Sequence, residues 1–191
     1  MIITITGDPG SGKTSVAKIL SARLDMPWKS MGDLRGRIAL ERGLTIDELN
    51  RLGESDPATD SAVDDLQKRL GETEDNFIIE GRLSWFFIPR SFKIYLACDP
   101  EESARRVFDA RKFEAGRDDE AQYASVEETR RELERRSASD ARRYERYYGL
   151  KGIDKEKFDL VIDTTTHDRP DVTVDKIIVD LKVRGFIAGD L

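Results

Sequence analysis

Residues 7–14 read Gly-Asp-Pro-Gly-Ser-Gly-Lys-Thr, a G-x-x-x-x-G-K-[ST] pattern set directly after the apolar run Ile2-Ile3-Thr4-Ile5. Behind it, Val16, Ile19, Leu20, Ala22 and Leu24 fall on roughly one helical face. The bare pattern would arise by chance in on the order of one chain in a hundred of this length, and its place between a strand and a helix makes chance rarer still. The chemistry follows from the backbone. Glycines let successive N–H groups turn inward around an anion, and the helix that starts at Lys13 presents its positive end to the same charge. Gly7, Asp8, Pro9, Gly10, Ser11, Gly12, Lys13, Thr14 and Ser15 are therefore expected to cradle the phosphates of a nucleotide. Lys13 would bridge the two outer phosphates and Thr14 would offer its hydroxyl to Mg2+.

The rest of the chain alternates. Short β-branched or aromatic runs at 2–6, 77–80, 92–98 and 158–163, with a short fifth at 28–30, are separated by helical patterns. This predicts an α/β fold of the P-loop NTPase kind, three layers α/β/α around a parallel sheet of about five strands. Helices are expected at 33–43, from Thr45-Ile46-Asp47-Glu48 with capping-box spacing, after Asp56-Pro57, from Asp99-Pro100-Glu101-Glu102, at 126–148 with Gly149 as C-cap, and at 170–184. The span 112–125 loses periodicity and reads as a surface segment. With 191 residues, 38% of them apolar, one domain covering 1–191 is expected, holding a small helical acceptor-binding insertion at about 31–72 and a lid at about 111–126.

Composition excludes several classes. A formal charge of -6 gives no global attraction for nucleic acid or an anionic membrane. No apolar run approaches the roughly 20 residues of a membrane span and the opening residues carry no basic leader, so cytoplasmic residence and a monomer are expected. One cysteine, Cys98, excludes an internal disulfide, and one histidine, His167 in a polar loop, leaves no basis for a zinc site or a histidine-based triad. No N-K-x-D run accompanies the glycine-rich loop, so a GTPase is disfavoured.

The third strand ends Glu80-Gly81-Arg82, placing an acid and an arginine at the carboxyl edge of the sheet, where open α/β sheets bind ligands. Glu80 suits a metal-bound water and Arg82 a bidentate grip on phosphate. Together with residues 7–15, Ser30-Met31-Gly32 and a following arginine, Glu41-Arg42-Gly43, Asp60, Asp64 and Gln67, Glu80-Gly81-Arg82-Leu83, and Arg143-Tyr144 leading to Tyr148-Gly149, the chain resembles the archaeal-type cytidylate kinases among the nucleoside monophosphate kinases. That resemblance implies ATP with Mg2+ as donor and CMP or dCMP as acceptor. It implies that Ser30, Gly32 and Arg35 or Arg37 form the monophosphate pocket, that Asp60 and Asp64 read the pyrimidine, and that Arg82 clamps the acceptor phosphate. Arg111 and Arg117 are implied as lid arginines on the donor, Arg136 and Arg143 as further catalytic cations, and Thr14 and Glu80 as the metal side.

The sequence departs from the family's usual run after Gly32, where Gly36 stands between Arg35 and Arg37. Eleven arginines from 105 to 146 face eleven acids, which makes most of them partners on solvated helices; Arg130, Arg131, Arg142 and Arg146 are read so. Tyr144, Tyr147 and Tyr148 are expected to anchor a helix end. Two other readings stay open: adenylate kinase or another small-molecule kinase, and an ATP-binding regulatory module without turnover.

Overall fold

The computed structural model describes residues 1–113, 123–167 and 169–188, the side chains of 111–113 excepted. Its elements run β1 (Ile2–Gly7), α1 (Lys13–Leu24), β2 (Trp28–Ser30), α2 (Met31–Glu41), α3 (Ile46–Gly53), α4 (Ala58–Thr73), β3 (Phe77–Glu80), α5 (Ser84–Phe87), β4 (Phe92–Ala97), α6 (Pro100–Phe113), α7 (Val126–Tyr148), β5 (Leu160–Asp163) and α8 (Pro170–Val183), with a 3-10 turn at Lys155–Lys157. Two compact units emerge. The first comprises Met1–Met31, Gln67–Cys98 and Lys155–Leu191, and the second Gly32–Leu66 and Asp99–Asp154.

The first unit holds the whole sheet, five strands in the order β2-β3-β1-β4-β5, every pair parallel. β1 is buried at all six positions because it pairs with β3 on one side and β4 on the other. Its pleat divides the layers. Ile3 and Ile5 join Val16, Ala17 and Leu20 of α1 and Val174, Ile177 and Leu181 of α8 in one core. Thr4 and Thr6 point the other way: Thr4 Oγ1 lies 3.0 Å from Ser91 Oγ, and the Thr6 hydroxyl donates to the Gly81 carbonyl at 2.7 Å. Hydroxyls are tolerated on that face because each has a partner. The chain reverses direction across the sheet at β1, so the crevice at its carboxyl end is the expected ligand position in a sheet of this order.

The second unit is helical. Thr45 caps α3 reciprocally: its hydroxyl accepts from the Glu48 N–H at 3.2 Å, while the Glu48 carboxylate accepts from the Thr45 N–H at 2.8 Å. The Thr45 N–H first, and then the Thr45 hydroxyl 3.0 Å from the same carboxylate oxygen, hold the Glu48 pKa below the ordinary carboxylate value. The sequence spacing predicted this cap, and Thr45→Ala is expected to cost about 1 kcal/mol, lowering the melting temperature by about 2–4 °C in a thermal scan. α6 opens as its sequence suggested, with Asp99 accepting from the Glu101 and Glu102 N–H groups at 2.9 and 3.2 Å. Within its first turn Glu102 accepts from Arg105 and Arg106, and these bonds pull its pKa down to about 2. α7 closes on Gly149 in the left-handed conformation, φ 69°, as its C-cap. Among the described residues no helix is long and apolar enough to cross a membrane.

Candidate active site

The glycine-rich loop begins where β1 passes β4. A Cβ on Gly7 would sit 2.2 Å from the Leu96 carbonyl oxygen, so only glycine lets the two strands stay paired at that point. Asp8 follows, its N–H donating to the same Leu96 carbonyl at 3.0 Å. Gly12 takes φ 84° and heads α1 without a side-chain cap, and no acid stands in the first turn. The helix end therefore presents amides and positive dipole uncompensated by any carboxylate of its own. Inside the loop Ser11 is buried, and its hydroxyl has no hydrogen-bond partner among the described residues. A buried hydroxyl left this way is costly unless a ligand accepts from it, which fits an anion in the cradle.

Lys13 curls back over the loop, its ammonium donating to the carbonyls of Gly7 at 3.1 Å and Asp8 at 2.7 Å. Thr14 donates from Oγ1 to Glu80 Oε1 at 3.2 Å, and Ser30 donates to the same oxygen at 2.5 Å. Glu80 is buried at the end of β3, one strand away from the loop. A hydroxyl and a carboxylate meeting at one point form a hard-oxygen set of the kind Mg2+ accepts alongside water and phosphate. Sequence reading assigned Thr14 and Glu80 to the metal side; Ser30, expected in the monophosphate pocket, shares their carboxylate. The residue after Glu80 is pinned: a Cβ on Gly81 would meet Ser84 Oγ at 2.6 Å. Arg82 then leaves the sheet edge half-buried, with its charge close enough to act on the Tyr95 hydroxyl.

The second unit gathers a buried ionic cluster. Arg143, only 3% exposed, donates to both oxygens of Asp60 at 2.8 and 2.6 Å and also pairs with Asp140 one helical turn before it. Arg35 reaches the same Asp60, and its Nε donates to Asn50 Oδ1 at 2.9 Å. Burial opposes the charge on Arg143, but Asp140 and Asp60 outweigh it and hold the guanidinium pKa above its usual value. For Arg35 burial dominates and Arg143 adds repulsion, so its pKa lies below the usual value despite Asp60. Arg35 keeps one buried nitrogen, Nη2, without a partner among the described residues. Arg37 is exposed on the same helix, as is Gly32 at its start.

Asp64, one turn beyond Asp60 on α4, accepts from the Tyr148 hydroxyl. Burial, then that bond, raises the Tyr148 pKa, so the phenol stays protonated and donates. Tyr147 donates to the Gly53 carbonyl at 2.9 Å, so two of the three tyrosines tie down the end of α7. Arg136 lies 3.5 Å from the Asp47 carboxylate through Nε. The Arg111 side chain and all of Arg117 fall outside the described residues. Arg130 pairs with Glu127 and Glu134 on its own helix, the kind of local pairing its sequence context suggested, whereas Arg142, read as a surface residue, pairs with Glu54 from a distant part of the chain. Three participants were not singled out from sequence: Asn50, Asp140 and Tyr95. The i,i+3 spacing of Asp140 and Arg143 was a visible signal for the second, whereas nothing local marks the other two.

A family profile described as an AAA domain matches residues 3–132. The cytidylate kinase of Methanothrix thermoacetophila is 39% identical over 168 residues, covering 88% of this chain and 91% of that protein. The cytidylate kinase of Methanocella arvoryzae is 36% identical over 184 residues, 95% of this chain and 99% of the relative. Among solved structures, an uncharacterized protein from Eubacterium ventriosum superposes with a TM-score of 0.67 at 18% identity, covering 95% of this chain and 98% of its own. A shikimate kinase from Bacteroides thetaiotaomicron does so with a TM-score of 0.61 at 17% identity, again over 95% and 98%. At such identity these two share the fold alone. The sequence relatives carry more, because they match over nearly the whole length of both chains: this chain belongs to the archaeal-type cytidylate kinase family, as its motifs implied.

Proposed function

We propose that the chain transfers the terminal phosphate of ATP, taken with Mg2+, to CMP and dCMP. The observation that carries this reading is the loop, in which Lys13 is folded over the cradle and Thr14 is joined to Glu80, within a chain that matches cytidylate kinases over most of its length. The family uses a nucleotide phosphate donor, and the residues of the first unit suit ATP: amides of 7–15 for the phosphates and Lys13 for the outer two. Bound between Thr14 and Glu80, Mg2+ would neutralise charge on the donor phosphates.

Arg82 and Arg35 are assigned to the acceptor phosphate. Arg35 is preferred to Arg37 because Asp60 and Asn50 hold its fork in one orientation, and a preorganised guanidinium loses less freedom on binding a planar oxyanion. Asp60 spends its oxygens on Arg35 and Arg143, so its part in reading cytosine is best understood as orienting Arg35. Asp64, fixed by Tyr148, remains the acid for the pyrimidine edge. Arg143 is a positioning residue in this scheme, while Arg136, and Arg111 and Arg117 beside the lid, are assigned to charge compensation.

The chemistry needs alignment rather than a base. An already ionised oxygen of the acceptor phosphate attacks the terminal phosphorus, the bond to the bridging oxygen breaks, and ADP departs with the electron pair. His167 is engaged elsewhere: Lys176 donates to its Nε2 at 2.8 Å, which leaves Nδ1–H to donate to Thr173 at 2.8 Å. The test is acceptor-dependent ADP release across CMP, dCMP, UMP, AMP and GMP. The expected result is the largest kcat/KM with CMP or dCMP. Fastest turnover with AMP would indicate an adenylate kinase, and ATP binding without release on any acceptor would indicate a regulatory module.

A further inference from the structure

A carboxylate at the second position of a phosphate-binding loop is an electrostatic liability. At about 4 Å two like charges repel by about 4 kcal/mol at the effective dielectric of a protein surface, so an Asp8 turned toward the cradle would expel the ligand the loop is built to hold. The structure disposes of it in a defined way. Asp8 Oδ1 accepts from the Tyr95 hydroxyl at 2.6 Å and Oδ2 from the Cys98 N–H at 3.0 Å. Tyr95 lies within β4 and Cys98 directly follows its last residue, and the Leu96 carbonyl of the same strand already binds the Asp8 N–H. Tyr95 itself is immobilised: it is buried, its ring lies 5.2 Å from that of Phe158, and the Lys155 ammonium sits 5.1 Å above its centroid. The Asp8 carbonyl is in turn the nearer acceptor of the Lys13 ammonium at 2.7 Å.

From this geometry we infer that Tyr95 is a positioning residue for phosphoryl transfer, holding the Asp8 carboxylate away from the donor phosphates and, through the Asp8 backbone, setting where Lys13 stands. It touches neither substrate nor reacting atoms. Burial and the bond to Asp8 raise the Tyr95 pKa, with Arg82 opposing, so the phenol remains a donor throughout the working pH range. The inference rests on the proposed use of the loop for ATP.

Tyr95→Phe tests it, because the ring contacts with Phe158 and Lys155 survive and only the hydroxyl is lost. Affinity for Mg2+ and an ATP analogue with a non-hydrolysable β–γ bridge is read by calorimetry, with steady-state constants for both substrates and the melting temperature measured alongside. The expected result is a loss of about 10-fold or more in analogue affinity and in kcat/KM for the donor, the KM for the acceptor staying within about twofold. Adding Asp8→Asn removes the released charge and is expected to restore most of the donor affinity, which a purely structural defect would not do. Unchanged analogue binding in Tyr95→Phe, equal losses for both substrates, or no recovery in the double variant would overturn the inference. Wild-type protein that fails to bind the analogue would instead remove the nucleotide reading on which it stands.

Discussion

Lys13→Ala is expected to lose at least about 10³-fold in kcat/KM for ATP while keeping its fold. The side chain donates to two carbonyls of its own loop, at 3.1 and 2.7 Å, and is not a member of the apolar core that α1 shares with the sheet. Its removal therefore leaves strand pairing and helix packing intact. On the proposed reading, what disappears is the cation assigned to the terminal phosphate as charge moves onto the bridging oxygen. That effect belongs to the transition state, so the loss should fall mainly on kcat and less on KM. Stopped-time assays of ADP release, with circular dichroism to confirm the fold, check both halves of the statement. A variant retaining a tenth of wild-type kcat would mean that Lys13 is not the cation on which transfer depends.

Arg143→Met is expected to produce the largest stability change, about 3–5 kcal/mol, or on the order of 10 °C in melting temperature for a chain of this size. The guanidinium is 3% exposed and answers two carboxylates, Asp60 and Asp140, the first shared with Arg35. Methionine fills much of the volume but removes the buried cation that Asp60 and Asp140 both face. Asp60 retains Arg35, whereas Asp140 loses its i,i+3 ion pair. Adding Asp140→Asn should accordingly recover part of the loss, whereas adding Asp60→Asn should deepen it by releasing Arg35. Thermal unfolding of the four proteins separates these outcomes, and a fall of less than about 3 °C in the single variant would show that the cluster does not carry the second unit's stability.

The glycine-rich loop was legible because its information is contiguous. Eight adjacent residues specify backbone turns, a helix start and a cation, and the strand before them supplies the only context needed. The same holds for the Thr45–Glu48 capping box, the Asp99 cap and the Gly149 helix end, where donor and acceptor are at most a few residues apart. The single-turn helix α5 escaped notice because Leu83 gives it no side-chain cap and its start is set by Ser84 donating to Gln67 at 2.7 Å, seventeen residues earlier.

Charge type could be read along the chain, but charge pairing could not. Arg35 and Arg37 are indistinguishable in sequence, and a helix turning 100° per residue places them on different faces, so burial against Asp60 and Asn50 picks out the first. Arg143 and Asp60 are 83 positions apart, and Tyr95 and Asp8 are 87. Local spacing thus established the parallel α/β plan, the phosphate cradle and the class of chemistry. Which guanidinium is held ready, and which carboxylate is turned out of the way, depended on chain closure, because electrostatic energy goes with distance in space and a sequence states only distance along the backbone.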